Sequence, residues 1–449
     1  MNFCQQFKPI SISLSPNTEK DDIDLALKLI FNPGLWKIRV NPRSYPRKSA
    51  STILEEEFKK YLGVKYAFSF NSGRSGLMAI LKAIEIKEGD EILLQAFTCN
   101  SAVNPILHSG AKPVFVDIDE TINLDPEDLK KKITHSTRAS TELSRMSSGR
   151  ASKIKAVMIQ HTFGWPAKID EILRIARENN SYLIEDCAHS LGAKFQGKFC
   201  GTFGDAAFFS FGRDKIISSV FGGMVVTNNE KIGERIKEFQ EKLDFPSNFW
   251  IFQQLLHPIL TNYLVLPAYG LNSALGRIIL GLFHILKILS KGVYKKEKRG
   301  KIPKYFPRKL PNALAILALN QLKKLERFNE HRREIAKFYE NELKNTKFVS
   351  PLAKSWENIT PTFMRYPILV DFDTEQILQE ARKRKIYLDD GWRKTPIFPP
   401  DTKIDKMKYI LGSCPKVEEI AKKILNLPTH INISKEDAKK IIELLKNLP

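Results

Sequence analysis

From about residue 50 the chain alternates two kinds of apolar pattern. ILEEEFKKYLG (53–63), SGLMAILKAIEI (75–86), NSAVNPILHSG (100–110) and IDEILRIARENN (169–180) carry apolar residues at helical spacing, with Gly63 and Gly110 as stops. Between them lie short, continuously apolar runs: YAFSF (66–70), EILLQAF (91–97), KPVFVDI (112–118), IKAVMIQ (154–160), SYLIED (181–186), DAAFFSF (205–211) and GGMVVTN (222–228). Such runs suit strands buried on both faces. The expected fold class is therefore α/β, a mainly parallel sheet flanked by helices. In that architecture functional residues gather beyond the carboxyl ends of the strands.

Two segments break the order. Residues 138–153, RASTELSRMSSGRASK, are rich in Ser, Arg and Gly and read as a mobile surface loop. Residues 245–305 read as an apolar helical insertion, its runs cut by His257, Pro258, Asn262, Pro267, Asn272 and Arg277. None reaches the roughly 18–20 residues that a membrane span requires. Within it, IILGLFHILKIL (278–289) is apolar at nine of twelve positions, more than an amphipathic stripe. Arg277 precedes it, and Lys291, Lys295, Lys296, Lys298 and Arg299 follow. Two readings stand: helices packed on the body or on a partner subunit, and helices over 250–300 lying on an anionic membrane face.

From about 310 the pattern changes to one long helical run, NALAILALNQLKKLERFNEHRREIAKFYENELK, then RYPILVDF, a helix EQILQEARKRKI, and a closing helix opened by Ser434 and Asp437 as a capping box. The expected division is a large cofactor-binding α/β domain over 1–244, the insertion over 245–305 and a smaller C-terminal α+β domain over 306–449.

A chain of 449 residues is long enough for more than one core. Its five cysteines are scattered and lack CxxC spacing, which argues for a reducing cytoplasm and against a zinc site or a disulfide framework. No signal peptide pattern opens it, so the expected location is cytoplasmic, with the inner face of the membrane open through 250–300. The net charge of +21 suits anionic partners. No basic array interleaved with aromatics is present, and nucleic acid is not expected as a partner.

The chemistry centres on Lys215, just after the strand run AAFFSF. The run SYLIED ends in Glu185 and Asp186, twenty-nine residues before that lysine. NSGRSGLMAIL (71–81) places a turn before a helix, so that the N–H groups of Gly73, Arg74, Ser75 and Gly76 form an anion site. Ser210 adds a hydroxyl. Pyridoxal 5′-phosphate needs this set: a lysine to hold it as a Schiff base, a carboxylate to keep its ring nitrogen protonated, and a phosphate cup.

These residues carry a family resemblance. SGRSGL (72–77), the stretch 89–119, EDCAHSLGA (185–193), GTFGDAAFFSF with Lys215 (201–215), GGMVVTN (222–228) and NLPTHINISKEDAKKI (426–441) are similar to the DegT/DnrJ/StrS-type sugar aminotransferases, pyridoxal-phosphate enzymes of the aspartate-aminotransferase fold. The likeness covers roughly 50–240 and 310–449. It implies Lys215 as the Schiff-base lysine, Asp186 as partner of the pyridine nitrogen, His189 beside the ring, and Ser210 with the Arg74–Ser75 turn as phosphate cup. It implies amino transfer from glutamate or glutamine to a keto-sugar, nucleotide-linked in most members, by a homodimer in the service of polysaccharide biosynthesis.

The chain also departs from the family. Cys99 stands where many members stack an aromatic residue, and Val220 and Phe221 precede the Gly pair where Gly and Glu are usual. Pro307 falls where members send an Asn to the neighbouring subunit's phosphate, and Lys309 replaces a nearby Arg. Two alternatives follow: a sugar dehydratase, which in this family replaces the lysine by histidine, and a cofactor-binding regulator without turnover.

Overall fold

A computed structural model describes residues 8–37, 49–146, 153–352 and 356–448. The seven apolar runs form one sheet in the order Tyr66–Phe70, Gly223–Thr227, Ala206–Ser210, Tyr182–Asp186, Ile154–Gln160, Glu91–Gln95, Lys112–Val116. The last five in that order are mutually parallel, and Gly223–Thr227 runs antiparallel to both of its neighbours. Helices lie between consecutive parallel strands as far as Tyr182–Asp186, as covered runs of this kind demand, and the short hairpin Lys194–Phe195 with Lys198–Phe199 takes a helix's place on the way to Ala206–Ser210. The fold is mixed α/β with a mainly parallel central sheet.

Packing fixes the strand ends. Phe58, Phe209 and Phe211 are fully buried, with the Phe58 ring 5.8 Å from Phe209 and 5.4 Å from Phe211. Burying each such ring stabilises the fold by about 1.5–3 kcal/mol, and this trio anchors the strand that leads into Lys215. Helix Gly73–Ala83 lies tight on the same sheet. A Cβ at Gly76 would come 2.8 Å from the Val225 Cγ2, so Gly76 serves close packing.

Three local expectations change. The loop expected over 138–153 is helix as far as Met146, the end of helix Pro126–Met146, and 147–152 lie outside the described residues. Asp and Glu in the first turn of that helix favour its N-terminus. The long run from 312 divides into Asn312–Leu322 and Leu325–Leu343. At the break Lys324 reaches Glu19, Asp21 and Asp22 on the N-terminal helix Lys20–Ile30, and these pairs fix the turn. Third, the cores do not divide at residue 306. Helix Asn312–Leu322 and residues between Ile397 and Ile424 belong to the larger core, and strand Ile10–Ser11 pairs with Ile386–Tyr387. A second core gathers Ile335, Tyr339, Ile368, Ile377, Ile441 and their neighbours over the two-stranded sheet Arg365–Leu369 and Ile424–Pro428. The closing helix Lys435–Lys446 carries the Ser434–Asp437 capping box.

The inserted segment is helical: Asn248–Leu260, a π-helical stretch Thr261–Val265, Leu266–Leu271 and Ser273–Ile285. Trp250, Ile251 and Leu255 are buried in the larger core, and Val265 is buried as well. Helix Ser273–Ile285 instead leaves Leu275, Ile278, Leu282 and Ile285 exposed, spaced so as to share one face. Among the described residues no helix is long and apolar enough to cross a membrane.

Candidate active site

Strand Tyr182–Asp186 ends in two acids, and the pleat sends them to opposite faces. Glu185 is walled in. It accepts from the N–H groups of Gly201, Phe203 and Gly204 at 2.7 Å each and faces His161 Nε2 at 3.2 Å. Burial works to raise its pKa, and His161 with the backbone donors holds it below the usual carboxylate range. The Ala167 N–H donates to His161 Nδ1, so the imidazole proton sits on the side facing Glu185. Among the described residues His161, Glu185 and Cys187 bring ligand-type atoms together, but these bonds occupy the group as structure.

Asp186 faces a cleft of about 320 Å³. It accepts from the Ala188 N–H at 3.0 Å. Burial pushes its pKa up to about 6, against the pull of that N–H and of Lys215 and His161. A buried carboxylate held this way favours a cationic N–H partner.

Lys215 lines the same cleft from the turn after strand Ala206–Ser210. Its backbone is held from behind: the Asn17 side-chain amide donates to the Lys215 carbonyl, and Arg332 donates to the Ile216 carbonyl at 3.0 Å. His189 also lines the cleft, its ring 4.9 Å from Trp392 and stacked on Phe163 at 5.8 Å. The Phe163 N–H donates to its Nδ1 at 3.3 Å. Burial, then Lys215 and Arg365, hold His189 well below the usual imidazole range, so it is uncharged.

The expected anion site is half as large as its four N–H groups suggest. Ser72 caps helix Gly73–Ala83, its hydroxyl takes the Ser75 N–H at 3.1 Å and its carbonyl takes the Gly76 N–H at 3.2 Å. The Ser75 hydroxyl is spent on Asn71 at 2.7 Å, and Ser75 lies behind the cleft. The first-turn N–H groups of Gly73 and Arg74 remain, next to Ser210 and Gly212. A Cβ at Gly73 would stand 3.2 Å from both the Phe209 carbonyl oxygen and the Ser210 Cβ, so glycine lets the helix end close on this cradle. The Arg74 guanidinium is paired with Glu297, donates to the Gly292 carbonyl at 2.9 Å and covers the Phe306 ring at 4.4 Å.

The departures also find places. Cys99 lines the cleft, and its sulfur caps helix Asn100–His108 by accepting from the Ser101 N–H at 3.5 Å. Phe221 packs with Trp250 and Phe306 at 5.4 and 6.3 Å, forming an aromatic wall that includes Tyr305 and the residue before Pro307. Lys309 points away and donates to the Glu241 carbonyl at 2.9 Å. Sequence reasoning missed Arg213, Asp390, Trp392 and Phe398 on the cleft wall and the Asn17–Arg332 support. Distance along the chain hides all of these but Arg213, which stands two positions before Lys215.

The residues present fit pyridoxal phosphate: an amine, a buried carboxylate poised for a cation, an uncharged imidazole and a closed helix-end cradle converge on one cleft. Fold and cleft together define a pyridoxal-phosphate-dependent aminotransferase. The chain belongs to the DegT/DnrJ/EryC1/StrS aminotransferase family, whose model matches residues 47–243 and 284–446. The unmatched interval, 244–283, takes in the first part of the insertion. The chain is 30% identical over 401 residues to an uncharacterized protein of Methanocaldococcus jannaschii, covering 88% of each chain. It is 27% identical over 391 residues to the GDP-perosamine synthase of Escherichia coli O157:H7, covering 87% of each. Among solved structures it is similar to Helicobacter pylori PseC, an aminotransferase involved in the biosynthesis of pseudoaminic acid, with TM-score 0.69, 23% identity, and coverage of 98% of this chain and 99% of that one.

Proposed function

We propose that this sugar aminotransferase takes an amino group from glutamate or glutamine and gives it to a nucleotide-linked keto-sugar, acting as a homodimer. The observation that carries the reading is the convergence of Lys215, Asp186 and the Gly73 turn on one cleft. Bound there, pyridoxal phosphate supplies a protonated ring that draws electrons from the carbon bearing the amino group. Lys215 would hold the cofactor through Nζ, and the same amine would move a proton at that carbon. Asp186 keeps the ring nitrogen protonated. The Gly73 and Arg74 N–H groups and the Ser210 hydroxyl would bind the phosphate, and uncharged His189, seated against Trp392, would stand beside the ring. The net charge of +21 supports a diphosphate-bearing acceptor.

The test has two stages. Borohydride reduction of the loaded protein fixes the cofactor on the peptide containing Lys215, and Lys215→Ala takes none. Glutamate or glutamine followed by a nucleotide keto-sugar then yields 2-oxo acid and amino-sugar nucleotide in equal amounts. A reducible Lys215 adduct that exchanges with neither donor overturns the donor assignment and favours a regulator. Sedimentation as a fully active monomer overturns the homodimer.

We also propose that the exposed face of helix Ser273–Ile285 meets an anionic lipid surface. Residues 245–296 contain no Asp or Glu, while Arg277, Lys287, Lys291, Lys295 and Lys296 are all cationic. That charge complements anionic headgroups, at about 1 kcal/mol per basic residue near the surface, and repels a second copy of itself.

A further inference from the structure

Two arginines stand at the phosphate end of the cleft, and they are not equivalent. Their guanidinium carbons approach the same Phe221 ring, Arg74 at 5.9 Å and Arg213 at 5.5 Å. Arg74 is neutralised by Glu297. Arg213 forms no ion pair among the described residues, and Asp214, its chain neighbour, pairs with Arg365 at 3.0 Å. Arg213 lines the cleft beside Gly212 and Lys215, while its Nε is sealed from solvent without a hydrogen-bond partner. A desolvated cation without a counter-charge is costly, and a ligand anion removes the cost.

The inserted segment positions this guanidinium. Arg213 donates to the Ser290 hydroxyl at 2.5 Å, and Ser290, itself buried, donates to the Gln254 Oε1 at 2.7 Å. His257 and His284 lie nearby, and burial, then Arg213, depresses both, His284 to about 4. The neighbours supplied by the insertion are thus uncharged, and none competes for the charge of Arg213.

We propose that Arg213 is a phosphate-binding residue of the cleft, held by Ser290 and Gln254 of the insertion so that its free N–H edge takes a phosphate dianion beside the start of helix Gly73–Ala83. The site rests on the aminotransferase reading above. Two phosphates meet its chemistry, that of the cofactor and the diphosphate of a nucleotide-linked acceptor.

Binding measurements separate them. Arg213→Gln is compared with wild type and with Arg213→Lys, which keeps the charge, and thermal unfolding of each variant shows that it folds. If the cofactor's phosphate is the ligand, Arg213→Gln binds pyridoxal phosphate roughly tenfold to a hundredfold more weakly, while its affinity for pyridoxal, which lacks the phosphate, is unchanged. If the substrate's phosphate is the ligand, cofactor affinity holds and the loaded variant loses a similar factor in calorimetric affinity for UDP or GDP. In either case Arg213→Lys recovers part of the loss, and Ser290→Ala reproduces part of it. A folded Arg213→Gln that binds pyridoxal phosphate, UDP and GDP as wild type does overturns the proposal. Reduction of the cofactor onto Lys215 is scored separately, so failure of the aminotransferase reading is seen on its own.

Discussion

Arg332 donates to Asn17 at 2.6 Å beneath the peptide that carries Lys215. Asn17 in turn donates to the Lys215 carbonyl, and Arg332 donates to the Ile216 carbonyl as well as to Asn329, so Asn17 and Arg332 clamp two consecutive carbonyls of one turn. Both are buried. Asn17→Ala leaves a buried guanidinium and a carbonyl short of partners and is expected to lower the unfolding free energy by about 1–3 kcal/mol. Because the clamp positions Lys215, kcat falls while KM for the acceptor stays within a few-fold. A stability loss with unchanged kcat would reduce the clamp to a purely structural role.

The pKa of Asp186 sets a pH dependence with a definite sign. Its carboxyl is raised from 3.8 to about 6 by burial, against Ala188, Lys215 and His161. The folded cofactor-free protein therefore binds more protons than the unfolded chain between those values, and stability falls as pH rises through that window. Asp186→Asn removes the penalty. The cofactor-free variant is expected to be more stable than wild type at pH 7–8 by a few kcal/mol at most, with no difference below about pH 4. Pyridoxal phosphate reverses the order, since its ring cation stabilises only the carboxylate. Melting curves at pH 4 and pH 8, with and without cofactor, check both signs.

Glu185, one residue earlier, predicts a different phenotype. Glu185→Ala strips the acceptor from the N–H groups of Gly201, Phe203 and Gly204. The expected loss is about 3 kcal/mol or more in stability, without a change in the chemistry per folded molecule. Denaturant unfolding paired with active-site titration distinguishes the neighbours: 186 alters chemistry, 185 alters folding.

The exposed face of the insertion gives a surface prediction. Wild type floats with vesicles containing anionic phospholipid, less so as salt rises, and does not float with neutral vesicles. Leu282→Glu with Ile285→Glu, both on the exposed face, abolishes flotation and leaves the fold intact. Wild type that stays with the pellet in low salt removes the lipid reading.

The sheet was legible because strands buried on both faces leave continuous apolar runs, and all seven runs became its strands. Asp186 was legible because it closes such a run, and Lys215 because it follows one within a few residues at the interval the family resemblance implies. The resemblance singled out Asp186 over Glu185, and the physical reason lies in the pleat and in the loop at 201–204 that folds onto Glu185. The pairing of the Arg74 side chain was not legible because its partner, Glu297, lies 223 residues away in a segment of uncertain role. The helix over 138–146 was hidden by Ser and Thr, whose low helical propensity the surrounding chain overrides. Arg213 was overlooked beside the more conspicuous lysine two positions on.

The clamp under Lys215 also dictates an order of events during synthesis. Asn17 and Arg332 are 315 residues apart, and strand Ile10–Ser11 pairs with Ile386–Tyr387, later still. At about 5–20 residues per second, the start of the chain leaves the ribosome tens of seconds before its partners exist. The sheet has all seven strands once residue 227 is made, so the central domain can collapse early, with the lysine turn unsupported. Binding competence then arrives late, when residues 10–17 meet Arg332 and the strand Ile386–Tyr387 around a sheet already built.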